Sequence, residues 1–268
     1  MHSDWLIPKW PAAPQVRALH TTRAGGRSGA PYDSMNLGDH VGDDTLDVGA
    51  NRSLLHQAIE ARPVFLAQVH GTGVLPISTH TPHGSTADAC VSAETGAACC
   101  VLVADCLPVL ITCDSGALVG AAHAGWRGLA GADGVGVLEA ALDSFVALGH
   151  AVGAWVDDRR IADEILVWLG PCIGAQAFEV GAEVLQTFVR TDPAAGRWFA
   201  PHGAGKWLAD LSGLARQRLL ALGITRIYGN DGASGWCTAS NPSRFFSHRR
   251  DQRRGSASGR MAACIWRV

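Results

Sequence analysis

The stretch Val101–Gly128, VLVADCLPVLITCDSGALVGAAHAGWRG, places two apolar runs on either side of Asp114-Ser115-Gly116. Asp, Ser and Gly favour a tight reversal, so the pattern predicts a β-hairpin of Leu107–Cys113 against Ala117–His123. With the turn centred on Ser115, cross-strand partners have numbers that sum to about 230, within one register step. Cys106 then falls opposite His123 or Ala124, and opposed residues lie about 5 Å apart at Cα. A thiol and an imidazole are expected to meet at the open end of the hairpin. Gly120, Ala121, Ala122, Ala124 and Gly125 leave room beside His123 and allow close backbone approach. Pro108 has no N–H and suits a strand start or an edge. Arg127 follows as a cation able to hold phosphate or carboxylate, and Trp126 either packs beneath the site or stacks on a base. Simple packing of Cys106 on His123 is the competing reading.

A second histidine has the same setting. In FLAQVHGTG (65–73), His70 ends an apolar run and precedes Gly71. His70, Cys106 and His123 together would make two imidazoles and one thiolate, and three protein ligands with one open position is the arrangement of catalytic zinc. No local zinc motif links the three, so three unrelated buried polar residues is the alternative.

Further runs of strand length are Val64–Leu66, Ala98–Val103, Val109–Thr112, Ala117–Ala122, Ile165–Leu169, Ile224–Tyr228 and Ala262–Trp266. Helical spacing marks Val48–Ala61, Gly134–Leu148, Ala182–Val189 and Leu208–Leu222, the last stopped by Gly223. Strands mixed with helices predict an α/β (α+β) fold, a layered domain with central mixed sheets flanked by helices. Gly25–Gly38 and Ala194–Gly205 read as loops. Neither makes a linker, so residues 1–268 read as a single domain.

Composition narrows the classes. The 268 residues are 47% hydrophobic and 17% charged with a formal net charge of -2, an ordinary globular balance. Nothing in it points to nucleic acid or to an anionic membrane surface as partner. MHSDWLIPKW lacks the basic start and apolar run of a signal peptide, and no run reaches transmembrane length. A cytoplasmic location is expected. The eight cysteines form no CxxC pair and several sit in apolar runs, so buried free thiols are expected rather than a disulfide frame. The residues carry no reading of oligomeric state.

TTRAGGRS (21–28), PYDSMNLGDHVGDD (31–44), QVHGT (68–72), VADCLPVL (103–110), HAGWRGL (123–129), WLGPCIG (168–174) with FEVG (178–181), and FFSHRRD (245–251) with GRMA (259–262) occur in this order. From about Thr21 onward the chain closely resembles the laccase-domain family, also called multicopper polyphenol oxidases. That family has been re-described as purine nucleoside phosphorylases with adenosine deaminase side activity. The resemblance implies a metal site at His70, Cys106 and His123, a layered α/β fold and a cytosolic enzyme. One Cys/His trio suits zinc, with copper a competitor in the general affinity order. Ser258 stands where the family often has Thr, and the loop SHRRDQRRGSASGRMA (247–262) carries extra basic residues.

The resemblance implies phosphorolysis of adenosine, inosine and methylthioadenosine, with purine nucleoside and phosphate as partners. Arg127, Arg23 and Arg249 are the candidates to hold phosphate, and Asp105 or Glu179 the candidates to move a proton during deamination. Cys172 reads as a packing residue. Two alternatives use the same trio. A metal-free hydrolase would employ Cys106 as nucleophile and His123 as base. Some bacterial relatives of this kind remove a misincorporated L-serine from a UDP-muramoyl precursor. Copper-dependent polyphenol oxidation is the other.

Overall fold

Strands that are apolar at every position need cover on both faces. Ala97–Val103 and Leu107–Cys113 are buried throughout, and alternate residues of each go to different cores. The computed structural model describes residues 2–155 and 160–268. In chain order the elements are β1 (Val16–His20), α1 (Thr45–Ile59), β2 (Arg62–Phe65), β3 (Val74–Pro76), β4 (Ala89–Ser92), β5 (Ala97–Val103), β6 (Leu107–Cys113) and β7 (Val119–Ala124). They continue with α2 (Trp126–Ala130), α3 (Val137–Ala151), α4 (Ile161–Glu164), β8 (Ile165–Leu169), β9 (Glu179–Gly181), α5 (Ala182–Thr191), β10 (Phe199–Pro201) and β11 (Lys206–Ala209). The last are α6 (Leu211–Ala221), β12 (Arg226–Gly229), α7 (His248–Arg253) and β13 (Met261–Arg267).

Two mixed sheets are stacked face to face. One has the order β1-β13-β5-β2 and the other β12-β8-β6-β7-β4-β3. Cys99, Val101, Leu110, Val119, Ala121 and Ile265 fill the space between them. The outer face of the first sheet packs Ala98, Cys100, Leu102 and Cys264 against Leu55 and Ile59 of α1. The outer face of the second packs against α3, α5 and α6 and a three-stranded antiparallel sheet, β10-β11-β9. The expected α/β class with central mixed sheets is what the chain forms.

The hairpin forms with one shift. Partners in β6 and β7 sum to 231, as in Pro108↔His123 and Leu110↔Ala121. The turn is closed by Gly116 N–H on Cys113 O and centres between Ser115 and Gly116, not on Ser115. Continuing that register sets Cys106 across from Gly125 rather than His123 or Ala124, so the cysteine reaches the imidazole from one step along. Pro108 sits at the start of a central strand, as its missing N–H requires.

Helix ends moved for identifiable reasons. Asp44 caps α1 by accepting from Leu46 N, which starts the helix before Val48. Asp210 caps α6, so Leu208 lies outside it, in β11, and the stretch expected to start a helix pairs with β9 and β10 instead. The expected loop Ala194–Gly205 holds part of a 3-10 turn, Pro193–Trp198, and β10. All eight cysteines are free; seven are buried, and Cys106 is half-buried. Among the described residues no helix is long and apolar enough to cross a membrane.

The small residues of β7 set the packing distance. A Cβ on Gly120 would stand 3.4 Å from Phe145 of α3 and 3.3 Å from Cys90 O. Phe145 is fully buried against this face. Phe145→Ala is expected to lower unfolding stability by about 3–5 kcal/mol in a urea titration, through the cavity it opens over β7.

Candidate active site

Three segments converge at the open end of the hairpin. Cys106 immediately precedes β6, His123 lies near the end of β7, and His70 sits in the loop between β2 and β3, which crosses from one sheet to the other. Their ligand atoms all lie within 4.8 Å of one another. Cys106 Sγ is 3.7 Å from His70 Nε2, and the two imidazole rings meet edge to face at 4.8 Å. The trio read from the sequence is therefore brought together.

Asp88, which sequence reasoning did not single out, organises the trio. Its fully buried carboxylate accepts from Val69 N (3.1 Å), His70 N (2.9 Å) and Gly71 N (2.7 Å), and from His123 Nδ1 (2.9 Å). Its carbonyl accepts the His123 N–H. Burial works against its charge, but these donors outweigh burial and hold the carboxyl below its usual range. A carboxylate only accepts, so His123 carries a proton on Nδ1 toward Asp88, and Nε2 is the nitrogen left to face Cys106 or, once deprotonated, an ion. The same contacts hold His70 at φ 60°, a left-handed conformation unusual for a non-glycine residue. The available signal was an acidic residue set directly before the apolar strand Ala89–Ser92.

Glycines let the segments touch. A Cβ on Gly125 would lie 2.9 Å from both Cys106 Sγ and His70 Cδ2, and one on Gly128 would lie 2.7 Å from Gly71 O. Both positions exclude any side chain.

Electrostatics polarise the pair. Burial disfavours the Cys106 thiolate, but the charge and hydrogen bonding of His123, with help from His70, pull its pKa to about 6. Burial likewise opposes charge on His123, yet the Cys106 thiolate and Asp88 raise it to about 9. Near neutral pH the pair is thiolate and imidazolium.

The trio opens on a cavity of about 450 Å³. Trp126, Arg127, Arg249 and Arg260 line it, with His40 and His248. Arg127 is exposed and stacks over the Trp126 ring at 4.4 Å. Arg249 donates from Nη1 to Glu179 O (2.7 Å). Arg23 is elsewhere: it bonds Asp33 and Pro242 O and packs over Phe246, so it braces loops rather than facing the trio. Asp105 lines the cavity, but both its oxygens are engaged, by Thr238 Oγ1 (2.5 Å) and Arg249 N (2.6 Å). Glu179 is outside the lining and faces His202 and Arg253. The carboxylate beside the trio is thus Asp88. Cys172 is buried, takes an Asn230 Nδ2 hydrogen bond and stands outside the trio. Arg260, His40 and His248 lie in motifs quoted above but were not picked out.

Residues 17–268 match the model of the multi-copper polyphenol oxidoreductase laccase family. The chain belongs to that family. This laccase-family chain is 46% identical over 263 residues to a purine nucleoside phosphorylase of Pseudomonas aeruginosa, covering 98% of each chain. It is 43% identical to the purine nucleoside phosphorylase YfiH of Escherichia coli, over 99% of this chain and all of that one. Among solved structures, protein NMB0706 of Neisseria meningitidis superposes with a TM-score of 0.85 at 40% identity, over 99% of both chains. YlmD of Geobacillus stearothermophilus gives 0.79 at 32% identity, over 96% of this chain and 93% of that one.

The donor set of this laccase-family site fits a borderline-soft ion: a thiolate and two imidazoles at ligand spacing, one imidazole oriented by a buried carboxylate. Asp88→Asn is expected to lower zinc affinity about 10- to 100-fold, measured by competition with a chromophoric chelator. Zinc binding near neutral pH should release about one proton, from His123, read by calorimetry in buffers of differing ionisation heat. The sign follows from the two shifts: below about 6 Cys106 must also lose a proton and affinity falls faster, while above about 9 this release vanishes.

Proposed function

We propose that the chain is a metal-dependent purine nucleoside phosphorylase, a single-domain cytoplasmic enzyme acting on adenosine, inosine and methylthioadenosine, with adenosine deamination as a side activity. The observation that carries this reading is one cavity in which the His70–Cys106–His123 trio faces arginines rather than free carboxylates. The printed names of the Pseudomonas and Escherichia relatives support it.

In phosphorolysis a phosphate oxygen forms a bond to ribose C1′ as the C1′–N bond to the purine breaks, and the purine leaves with the electron pair and takes a proton. Arg127 and Arg249 stand on the cavity wall, where a guanidinium can hold phosphate by two parallel hydrogen bonds. The Trp126 face gives a purine an apolar surface, as far as Arg127 leaves it free. His70, Cys106 and His123 would hold zinc, or copper in competition. Bound there, such an ion would supply Lewis acidity, the chemistry on which hydrolytic deamination of a purine draws. Asp88 keeps His123 in the tautomer that a ligand requires.

A second reading rests on the same pair. A thiolate near an imidazole that a buried carboxylate orients has the layout of a cysteine hydrolase, with Cys106 as nucleophile and His123 as base. Its substrate would be the amide of a muramoyl precursor carrying L-serine. Copper-dependent phenol oxidation has less support. A multicopper relay needs several ligand clusters, and among the described residues one group of three is found.

The test is product analysis after incubating zinc-loaded protein with adenosine, with and without phosphate. Adenine and ribose 1-phosphate are expected only with phosphate, and inosine in either case. Cys106→Ala should lower both by more than the roughly 100-fold lost with a ligand's hydrogen-bond partner. If neither product exceeds the Cys106→Ala background, the nucleoside reading falls and the hydrolase reading takes its place.

A further inference from the structure

Arg260 immediately precedes β13 and is held by the loop that carries NLGDH (36–40). Its N–H donates to Asn36 Oδ1 (2.8 Å), and its carbonyl accepts from Leu37 N (3.0 Å). A Cβ on Gly38 would stand 2.7 Å from Arg260 Cγ, so the side-chain stem lies directly over that glycine. Arg260 lines the cavity shared with Cys106 and His123.

Its guanidinium has no ion-pair partner among the described residues. Nη1 donates to Ser258 O (2.9 Å) and Gly259 O (3.2 Å). Nε and Nη2 have no acceptor, and no carboxylate lies within ion-pair distance, among the described residues. Arg52, Arg218 and Arg250 are matched by Asp39 (3.0 Å), Glu139 (2.9 Å) and Asp251 (2.8 Å), whereas Arg216 and Arg267, away from this cavity, bond only carbonyls. Arg249, on the same wall, spends Nη1 on Glu179 O. Burial pushes the Arg260 pKa down, and the Cys106 and Asp105 charges act against that. A half-buried cation with idle donors on a cavity wall is a favourable partner for an anion that enters the cavity. Two donors on one guanidinium edge match two oxygens of a tetrahedral oxyanion. His248 lines the same wall and feels the Arg260 charge.

We propose that Arg260 is the principal phosphoryl-binding residue of this cavity, its Nε and Nη2 donors meeting two phosphate oxygens. The proposal deepens the phosphorylase reading and rests on it for the identity of the anion as free phosphate. The same chemistry would also seat a phosphoryl group carried by the substrate.

The experiment is calorimetric titration of inorganic phosphate, and separately of adenosine 5′-monophosphate, into zinc-loaded full-length protein. Arg260→Gln is expected to weaken phosphate binding about 10- to 100-fold, and Arg260→Lys to fall between it and the parent. In turnover, KM for phosphate should rise while KM for adenosine stays within about twofold. Loss confined to the monophosphate also supports the seat and assigns it to the substrate's own phosphoryl group. Unchanged affinity for both ligands in Arg260→Gln overturns the proposal, as does failure of the parent protein to bind either. If Arg260→Gln does not fold, Arg260→Lys decides, because it keeps charge and stem and loses only the fork. Arg260-dependent phosphate binding in a protein that releases no adenine would leave the seat standing and remove the phosphorylase reading.

Discussion

One buried carboxylate holds the site together. Asp88 takes three backbone N–H groups of the 69–71 loop and the Nδ1–H of His123. A buried charge is tolerated only when its lone pairs are filled, and here each donor is also a positional constraint. Asp88 directly precedes β4, which pairs with β7 on one side and β3 on the other. The residue therefore ties the strand bearing His123 to the loop bearing His70. It orients the imidazole of His123 and holds the left-handed backbone of His70 with the same two oxygens.

The two-sheet architecture explains why the site lies at an end of the hairpin. The space between the sheets and beneath α3 is filled mainly by apolar side chains. Polar chemistry is excluded until the strands run out, at Cys106 before β6 and at Ala124 in β7. Seven cysteines are buried, and burial pushes the thiols of Cys99, Cys100 and Cys172 up, away from reactivity. Cys106 alone is half-buried, and the imidazoles beside it reverse the shift. Reactivity here follows from position in the fold, since all eight thiols begin from the same chemistry.

The charges lining the cavity are mostly engaged within the protein. Asp105 lines the wall but is consumed in bracing Thr238 and the first turn of α7. Arg127 is exposed on Trp126, Arg249 is half-spent on a carbonyl, and Arg260 keeps an idle edge. A phosphate seat on this wall, as proposed above, would stand beside the His70–Cys106–His123 trio.

Local pattern alone determined the layered α/β class, the hairpin and the meeting of Cys106 with His123. Continuous apolar runs and an Asp-Ser-Gly turn encode these within about thirty residues, and β8 coincides with the expected Ile165–Leu169. His70 was suggested by its place at the end of an apolar run before Gly71, and the ordered motifs pointed to the same residue. Tertiary structure decided the rest. The one-residue register shift came from a hydrogen bond within the turn, and the short strands Glu179–Gly181, Phe199–Pro201 and Lys206–Ala209 are stabilised by one another rather than by periodicity. Arg23 and Arg260 look alike as letters. Only the chain around them shows that the first is paired with Asp33 and the second has idle donors on a cavity wall. Asp88 was hidden for the same reason: hydrogen-bond partners far apart in sequence are brought together by packing, and no spacing rule in one chain records them.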